Sequence, residues 1–265
     1  MNQTQNSTPP PVWARSDLSD PHAAGDKADR VRRMFAAIAP RYDLNNRLHS
    51  LWRDQAWRRA AVRAARVQPG DRILDVACGT GDLTEAFAAT GAGRIVGLDF
   101  TPEMLDIAER KRRDRLARGG RRARGMDRIE YLRGDAQDLP FDDRTFDVVS
   151  IAFGIRNVQD MDLALGQFAR VLRPGGRLVI LEFERPGTPI VRTFHDFYCG
   201  WLMPRTATLI SGDRSGAYRY LPRSVGTFCS AENLRLGVAR AGFDPVRSRR
   251  LTFGICACTV GVRTG

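Results

Sequence analysis

The sequence predicts an α/β fold with a doubly wound sheet that is mostly parallel and closes with an antiparallel hairpin. Two observations support this prediction. Between residues 72 and 183, five short apolar runs that fit buried strands alternate with helical segments. Two more strand-like runs, at 246–253 and 255–262, follow the last predicted helix and fit the hairpin.

A glycine turn follows the first predicted strand. Gly79 and Gly81 let the backbone turn sharply and approach a ligand, and Asp82 begins the next helix. In an open α/β sheet such a turn is the usual place for a nucleotide-like cofactor. A dinucleotide fingerprint needs a third glycine where this chain has Thr84, which weakens the pyrophosphate interpretation. Taken alone, the turn also fits a plain strand-to-helix connection.

Acidic residues stand at the ends of the first three predicted strands. Asp75, just before the glycine turn, suits a ligand without phosphates. Asp99 can accept both hydroxyls of a ribose. Asp135 is placed to accept from an adenine amino group, with a turn residue as its alternative role. Together these acids indicate an adenosine cofactor, and S-adenosylmethionine fits better than NAD.

The segments ahead of the sheet have a different composition. Residues 1–26 are rich in Pro, Ser, Thr, Asn and Asp, which predicts a disordered tail. Residues 27–68 predict helices, the first of them ended by Pro40. Polar and aromatic residues cluster between 41 and 57, which favours a lid over cofactor and substrate. A helical layer that only packs on the sheet is the alternative.

Positive charge is concentrated in one loop. Between Arg110 and Arg128 there are ten basic and two acidic residues, which is +8 of the formal net charge of +12. Such a cluster can contact anionic lipid or nucleic acid. We favour a solvated loop, because the run lacks the interleaved aromatic residues that stack on bases.

Chain length and cysteine content limit the possible domain organisation, location and metal binding. At 265 residues the chain suits one large α/β domain with an added segment. No apolar run is long enough to span a bilayer and the N-terminus lacks a signal-peptide core, so a cytoplasmic protein is expected. The five cysteines lack metal-ligand spacing, which predicts reduced thiols and no metal site.

From residue 27 nearly to its end, the chain resembles the ubiquinone/menaquinone biosynthesis C-methyltransferase family. The glycine turn is shared by many methyltransferases, whereas the strings FGIRNV at 153–158 and YRYL at 218–221 are much more selective. The resemblance implies a class I, Rossmann-like methyltransferase domain over 27–265. It also implies S-adenosylmethionine as methyl donor and a demethylated, prenylated quinol as acceptor, with demethylmenaquinol favoured over the benzoquinol of the ubiquinone pathway.

The resemblance also implies cofactor contacts at Thr80, Asp99, Asp135 and Ala136. Position 152 lines the cofactor in the family and is often serine there, so Ala152 leaves only a backbone contact. With the residues of the turn, the predicted cofactor-binding set is Asp75, Gly79, Thr80, Gly81, Asp99, Asp135, Ala136 and Ala152. The family often has glycine at position 52, where this chain has Trp52.

Three residues are candidates for the chemistry at the quinol. Arg156 is the first, because it follows the fourth strand and a cation there would stabilise a phenolate. It is too basic for an ordinary general base, and its alternative role is an ion pair with Asp135 or another structural acid. Tyr42 and His195 are the other two candidates.

The segment at 187–229 predicts a helical insertion that binds substrate. Its aromatic residues suit a quinol headgroup and the start of a prenyl tail, although packing of the last helices is the alternative. Peripheral contact with the inner face of the membrane is expected, nucleic acid is disfavoured as a partner, and the oligomeric state stays open, a homodimer included. The rival function is another class I methyltransferase acting on a lipid, a small molecule or nucleic acid.

Overall fold

The computed structural model describes residues 12–14, 16–213 and 215–265. These residues form a seven-stranded sheet in the order β3-β2-β1-β4-β5-β7-β6. The strands are β1 (Arg72–Val76), β2 (Arg94–Asp99), β3 (Ile129–Arg133), β4 (Phe146–Ala152), β5 (Leu172–Phe183), β6 (Phe243–Leu251) and β7 (Cys256–Arg263). The first five run parallel, and β7 is antiparallel to β5 and β6. The predicted fold class is confirmed.

Helices cover both faces of this sheet. Their bounds are α1 (Lys27–His49), α2 (Arg53–Ala65), α3 (Asp82–Ala88), α4 (Pro102–Arg118), α5 (Met161–Val171), α6 (Pro189–Phe197), α7 (Met203–Ser211), α8 (Ala217–Thr227) and α9 (Ala231–Arg240). Neighbouring strand residues enter opposite apolar clusters, since side chains alternate along a strand. Ile73 packs with α2 and α3, whereas Leu74 packs with α5 and α9.

Helix α1 is longer than the sequence predicted. It continues through Pro40 to His49, although proline removes one helical hydrogen bond. Its buried residues lie on both sides of the proline, from Met34 and Ile38 to Asn45. Packing of this face against the rest of the molecule therefore outweighs the local cost. The whole helix lies beside the carboxyl edge of the sheet, where α7 and α8 also contact it.

The segment before α1 differs from the expected disordered tail wherever the structure describes it. Trp13 is fully buried and stacks on Tyr220 with ring centroids 4.4 Å apart. Arg30 lies 5.5 Å from the Trp13 ring, and the His22 ring bonds to the Ser224 carbonyl oxygen at 3.0 Å. These contacts bind the segment to α1 and α8. The rest of the predicted tail, residues 1–11, lies outside the described residues.

Candidate active site

A cavity of ≈ 110 Å³ opens at the carboxyl edge of the sheet, beside the glycine turn. Its floor comes from residues that follow β1, β2, β3 and β4, and α1 supplies its cover. The principal floor residues are Ala77, Gly79, Asp99, Phe100, Thr101, Gly134, Asp135, Ala136, Ala152 and Phe153. The cover consists of Ala28, Val31, Arg32, Phe35 and Tyr42. This is the edge at which open α/β sheets bind ligands.

The two glycines of the turn have different tasks. Gly79 lines the cavity with a φ of +55°, and a Cβ built there would have no heavy atom within 4 Å among the described residues. A side chain at this position would therefore occupy the space left for a ligand. Gly81 has a φ of +83°, and a Cβ there would lie 2.2 Å from the Tyr131 hydroxyl. Gly81 is thus required for packing beneath the turn.

Asp99 presents a rigid carboxylate to the cavity. One of its oxygens accepts from the Gly79 backbone N–H and the other from the Thr101 backbone N–H, both at 2.8 Å. Burial raises the pKa of this carboxyl group, and the backbone donors oppose that shift. A carboxylate has about four lone-pair sites, so both oxygens can accept further hydrogen bonds. That geometry suits two neighbouring hydroxyl groups.

Five of the eight predicted cofactor residues line this cavity, namely Gly79, Asp99, Asp135, Ala136 and Ala152. Asp75 instead lies beneath the turn, where it accepts from the Thr84 and Ser150 hydroxyl groups at 2.7 Å. Burial raises the pKa of Asp75 to about 6. Thr80 is buried and donates to Asp43 of α1 at 2.6 Å. These two residues and Gly81 hold the turn in shape and lie outside the cavity lining.

Arg156 is placed differently from the first prediction. It is buried, and its Nη1 donates to Glu182 at 2.6 Å and to the Phe153 carbonyl oxygen at 2.7 Å. Its Nε donates to the Ser224 hydroxyl at 3.2 Å. The predicted direct contact with a phenolate is therefore corrected. The alternative, an ion pair with a structural acid, is what the structure has, and the acid is Glu182 rather than Asp135.

The other two candidates are separated from each other. Tyr42 lines the cavity beside the glycine turn, and burial raises the pKa of its hydroxyl group. His195 lines a second cavity of ≈ 960 Å³ between α6, α7 and α8. There its Nδ1 lies 3.6 Å from Asp196, and burial lowers the pKa of the imidazole. The structure brings Tyr42, but not His195, into the lining of the cavity beside the glycine turn.

Sequence reasoning missed several lining residues. Phe100, Met104, Gln137 and Asn157 all line the cavity. Phe100 directly follows Asp99, and Gln137 follows the predicted Asp135–Ala136 pair, so both could have been predicted as neighbours of candidate site residues. Val31 and Phe35 of α1 supply the apolar part of the cover. Which side of that helix meets the cavity depends on how α1 lies on the sheet.

This strand order, with a cavity at the ends of β1, β2 and β4 and a carboxylate at the tip of β2, defines a class I methyltransferase domain. The profile of the ubiE/COQ5 methyltransferase family matches residues 23–263. The chain belongs to this family, and it is a methyltransferase.

Two curated relatives and one solved structure illustrate the similarity. The demethylmenaquinone methyltransferase of Thermus thermophilus is 48% identical over 231 residues, which is 87% of this chain and 100% of the relative. The ubiquinone/menaquinone biosynthesis C-methyltransferase UbiE of Geobacter sp. is 41% identical over 91% of this chain and its own full length. A SAM-dependent methyltransferase from Thermotoga maritima shares the fold with a TM-score of 0.60 at 17% identity, covering 88% of this chain and 100% of that one.

The cavity residues fit S-adenosylmethionine, the cofactor of this class. The open space at Gly79 leaves room for a ligand against the turn, and the free lone pairs of Asp99 suit the two ribose hydroxyl groups. Phe100 and Ala136 give the cavity apolar walls beside Asp135. We assign no metal to this site, since the methyl group of a sulfonium is electrophilic without one.

Proposed function

We propose that this chain is an S-adenosylmethionine-dependent C-methyltransferase that converts demethylmenaquinol to menaquinol. The observation that carries the proposal is the 48% identity to the Thermus thermophilus demethylmenaquinone methyltransferase over that protein's full length. The cavity geometry supports the cofactor half of the reaction through Gly79 and Asp99. The benzoquinol of the ubiquinone pathway is the second acceptor to test, because other relatives carry both names.

The bound cofactor supplies a methyl group on a positively charged sulfur. That methyl group would pass to a ring carbon of the quinol and leave S-adenosylhomocysteine, and the proton displaced from the carbon would pass to water. Asp99 would hold the ribose, while Val31 and Phe35 give the cavity an apolar cover. Tyr42 lines the cavity, and its hydroxyl group, which is protonated at neutral pH, can donate to a quinol oxygen. Arg156 supports Phe153 of the lining through its backbone.

Residues 27–68 are proposed as a lid on this domain. The cavity of ≈ 110 Å³ is smaller than the roughly 300 Å³ that small-molecule sites usually require. Since α1 forms its cover, entry of the cofactor requires α1 to move outward. Amide exchange in α1 is expected to slow when S-adenosylhomocysteine binds. Equal exchange with and without the ligand would contradict the lid.

A methyl-transfer assay tests the reaction. Labelled S-adenosylmethionine would be supplied with reduced demethylmenaquinol, a reduced demethylated benzoquinol, or bulk RNA. Label on a naphthoquinol ring carbon is the expected result. Label only on the benzoquinol would assign the protein to the ubiquinone pathway instead. Label only on RNA would refute quinol methylation.

Residues 187–229 are proposed to contact the membrane that carries the quinol. Ile190, Phe194 and Phe197 fall on one face of α6 and are 83%, 76% and 57% exposed. Trp201 and Leu209 continue this exposed apolar surface into α7. Two exposed arginines flank it, Arg192 within α6 and Arg205 above the Trp201 ring at 4.6 Å. Apolar side chains bordered by cations suit an anionic lipid surface.

The end of α1 joins the same surface. The Tyr198 hydroxyl donates to the His49 carbonyl oxygen at 3.1 Å, and the His49 ring bonds to the Thr206 hydroxyl at 2.8 Å. Leu51 and Trp52 follow directly and are 79% and 56% exposed. Among the described residues, no helix has both the length and the apolarity to cross a membrane.

Vesicle sedimentation tests this contact. The double variant Phe194→Ser/Trp201→Ser is expected to lose most binding to vesicles that contain phosphatidylglycerol. Leu236→Ser is the control, because Leu236 is 41% exposed but lies in α9, outside residues 187–229. Equal sedimentation of the wild type and the double variant would contradict the proposed surface.

A further inference from the structure

Arg58 of α2 is a buried cation with unused hydrogen-bond donors. Nine-tenths of the residue is buried, and its Nε and Nη1 atoms have no hydrogen-bond partner among the described residues. Buried guanidinium donors without acceptors are costly, because they have lost hydrogen bonds to water and formed none in exchange. An arginine that serves only the fold would be expected to have an acceptor, as Arg156 does.

Two acids that are influenced by the charge of Arg58 already have other partners. Its positive charge acts on the carboxyl groups of Asp75 and Asp82. Asp75, however, accepts from two hydroxyl groups, and Asp82 is paired with Lys111 at 2.5 Å. Arg58 therefore has favourable charges around it but no carboxylate of its own. An anionic group supplied from outside the chain would complete its hydrogen bonding.

Arg58 lies directly behind the cavity wall. The centre of its guanidinium is 5.2 Å from the Phe153 ring centroid, and its charge also acts on the Tyr42 hydroxyl group. Phe153 and Tyr42 both line the cavity. A modest movement of these two side chains, or of α1, would expose the guanidinium to a bound molecule.

The order of the strands indicates which end of the ligand comes near. Asp135 follows β3 and Asp99 ends β2, so the adenosine part belongs on the β3–β2 side. Phe153 follows β4, on the other side of β1. The methionyl part must then extend over β1 toward β4, where Arg58 lies. Its carboxylate is the anion of this end of the molecule.

We infer that Arg58 binds the carboxylate of the methionyl part of S-adenosylmethionine. The inference rests on the proposed use of that cofactor and names the residue that holds its charged end. It predicts that Arg58 matters for ligands that carry the amino-acid part and not for adenosine ligands that lack it.

Calorimetric binding of two ligands tests the inference. S-adenosylhomocysteine carries the carboxylate, whereas 5′-methylthioadenosine keeps the adenosine and sulfur without the amino-acid part. Arg58→Gln should weaken S-adenosylhomocysteine binding by about 10- to 100-fold, the usual range for a charge-assisted hydrogen-bonded pair. Its affinity for 5′-methylthioadenosine should stay within about 3-fold of the wild type, as expected for a ligand without that pair.

Two further variants guard against a folding artefact. Arg59→Gln is the matched control, because Arg59 is the exposed neighbour in the same helix and should leave both affinities unchanged. Arg58→Lys keeps the charge and should give an intermediate loss for S-adenosylhomocysteine alone. Equal losses for both ligands, or full S-adenosylhomocysteine binding with lost methyl transfer, would overturn the inference. A wild type that binds neither ligand would instead refute the proposed function.

Discussion

Asp99 shows how one residue at a strand end becomes a binding group. Its oxygens are oriented by the backbone N–H groups of Gly79 and Thr101, which belong to the turns after β1 and β2. Backbone donors thus hold the carboxylate toward the cavity, together with the Thr101 side chain. Its neighbour Gly79 leaves the adjacent space open.

Asp99→Asn is expected to weaken S-adenosylhomocysteine binding by about 10- to 100-fold, because an amide offers fewer acceptor sites and no charge to two hydroxyl groups. Calorimetry measures the change. Glu103→Gln, an exposed residue in the first turn of α4, is the control and should bind like the wild type. An unchanged affinity in the Asp99 variant would remove this residue from the cofactor site.

Asp75 makes the free energy of unfolding depend on pH. Burial raises its pKa from 3.8 to about 6. Between these two pH values the carboxyl group is protonated in the folded state and ionised in the unfolded state. Its contribution to stability is full below pH 3.8 and is lost as the pH rises to about 6. The loss amounts to roughly 3 kcal/mol.

Asp75→Asn should remove that part of the pH dependence. Denaturant unfolding at pH 4 and pH 7 measures it. The variant lacks the titrating carboxyl group, so its free energy of unfolding should differ less between the two pH values than that of the wild type, by the same rough amount. Other groups titrate in both proteins and cancel in the comparison. Identical pH profiles for the wild type and the variant would contradict the assignment.

Trp52 lies in the turn from α1 to α2, at a position where the family resemblance implies glycine. Its φ is +60°, in the left-handed region where glycine is favoured, and Leu51 before it has a φ of +51°. The glycine that the family resemblance implies at this position would suit the turn from α1 to α2. The exposed Trp52 side chain is compatible with the proposed membrane surface.

At the scale of elements, Lys111 ties α4 to α1 and to the glycine turn. Its Nζ donates to Asp43 at 2.9 Å and to Asp82 at 2.5 Å. Burial lowers the pKa of Lys111, but the two carboxylates outweigh that effect and the net shift is upward. In the same basic cluster Arg115 lies 2.6 Å from Glu85. Part of the predicted arginine loop is thus structural.

Lys111→Met should lower the free energy of unfolding by about 1–3 kcal/mol, because two largely buried carboxylates lose their nearest cation and keep only Arg47, at 3.3 Å from Asp82 and 4.0 Å from Asp43. Chemical denaturation measures the change. Arg113→Met on the same helix is the control, since its side chain is 69% exposed and its loss should cost under about 0.5 kcal/mol. Equal stabilities of the two variants would show that the Lys111 ion pairs do not contribute to the free energy of unfolding.

Substitutions at the exposed tip of the basic cluster at 110–128 test the nucleic-acid alternative. Arg121, Arg122 and Arg124 are exposed, so replacing all three with serine keeps the Lys111 network intact. Methyl transfer to the quinol should stay within about 2-fold of the wild type, as for surface substitutions away from the site. A large loss of activity would give this loop a role in catalysis or substrate delivery.

At the scale of the whole molecule, the segment around Trp13 completes a third apolar cluster. Trp13 packs there with Met34, Ile38 and Tyr220, and so links α1 to α8. This cluster lies apart from the two that cover the sheet. It connects the proposed lid to the C-terminal insertion.

Trp13→Ala should cost about 3 kcal/mol, the lower part of the range for truncating a buried tryptophan. The free energy of unfolding and the rate of proteolysis in α1 are the measurements. Trp52→Ala is the matched control, since that tryptophan is 56% exposed and should change stability little. A Trp13 variant as stable as the wild type would show that the segment is only loosely attached.

The sequence by itself determined the sheet and the parts of the site that depend on it. Strand periodicity and the turn residues place Gly79, Asp99 and Asp135 at one edge, because parallel strands all end there. These positions follow from local pattern, and in the structure all three line the cavity.

Only the tertiary structure decided where the long side chains point. Arg156 and Arg58 both carry a charge near the same edge, yet one is paired with Glu182 and the other has unused donors. The continuation of α1 beyond Pro40 and the burial of Trp13 likewise depend on partners more than 150 residues away, such as Tyr218 and Tyr220. The partners of a flexible side chain are fixed by packing between distant segments, which spacing along the chain does not encode.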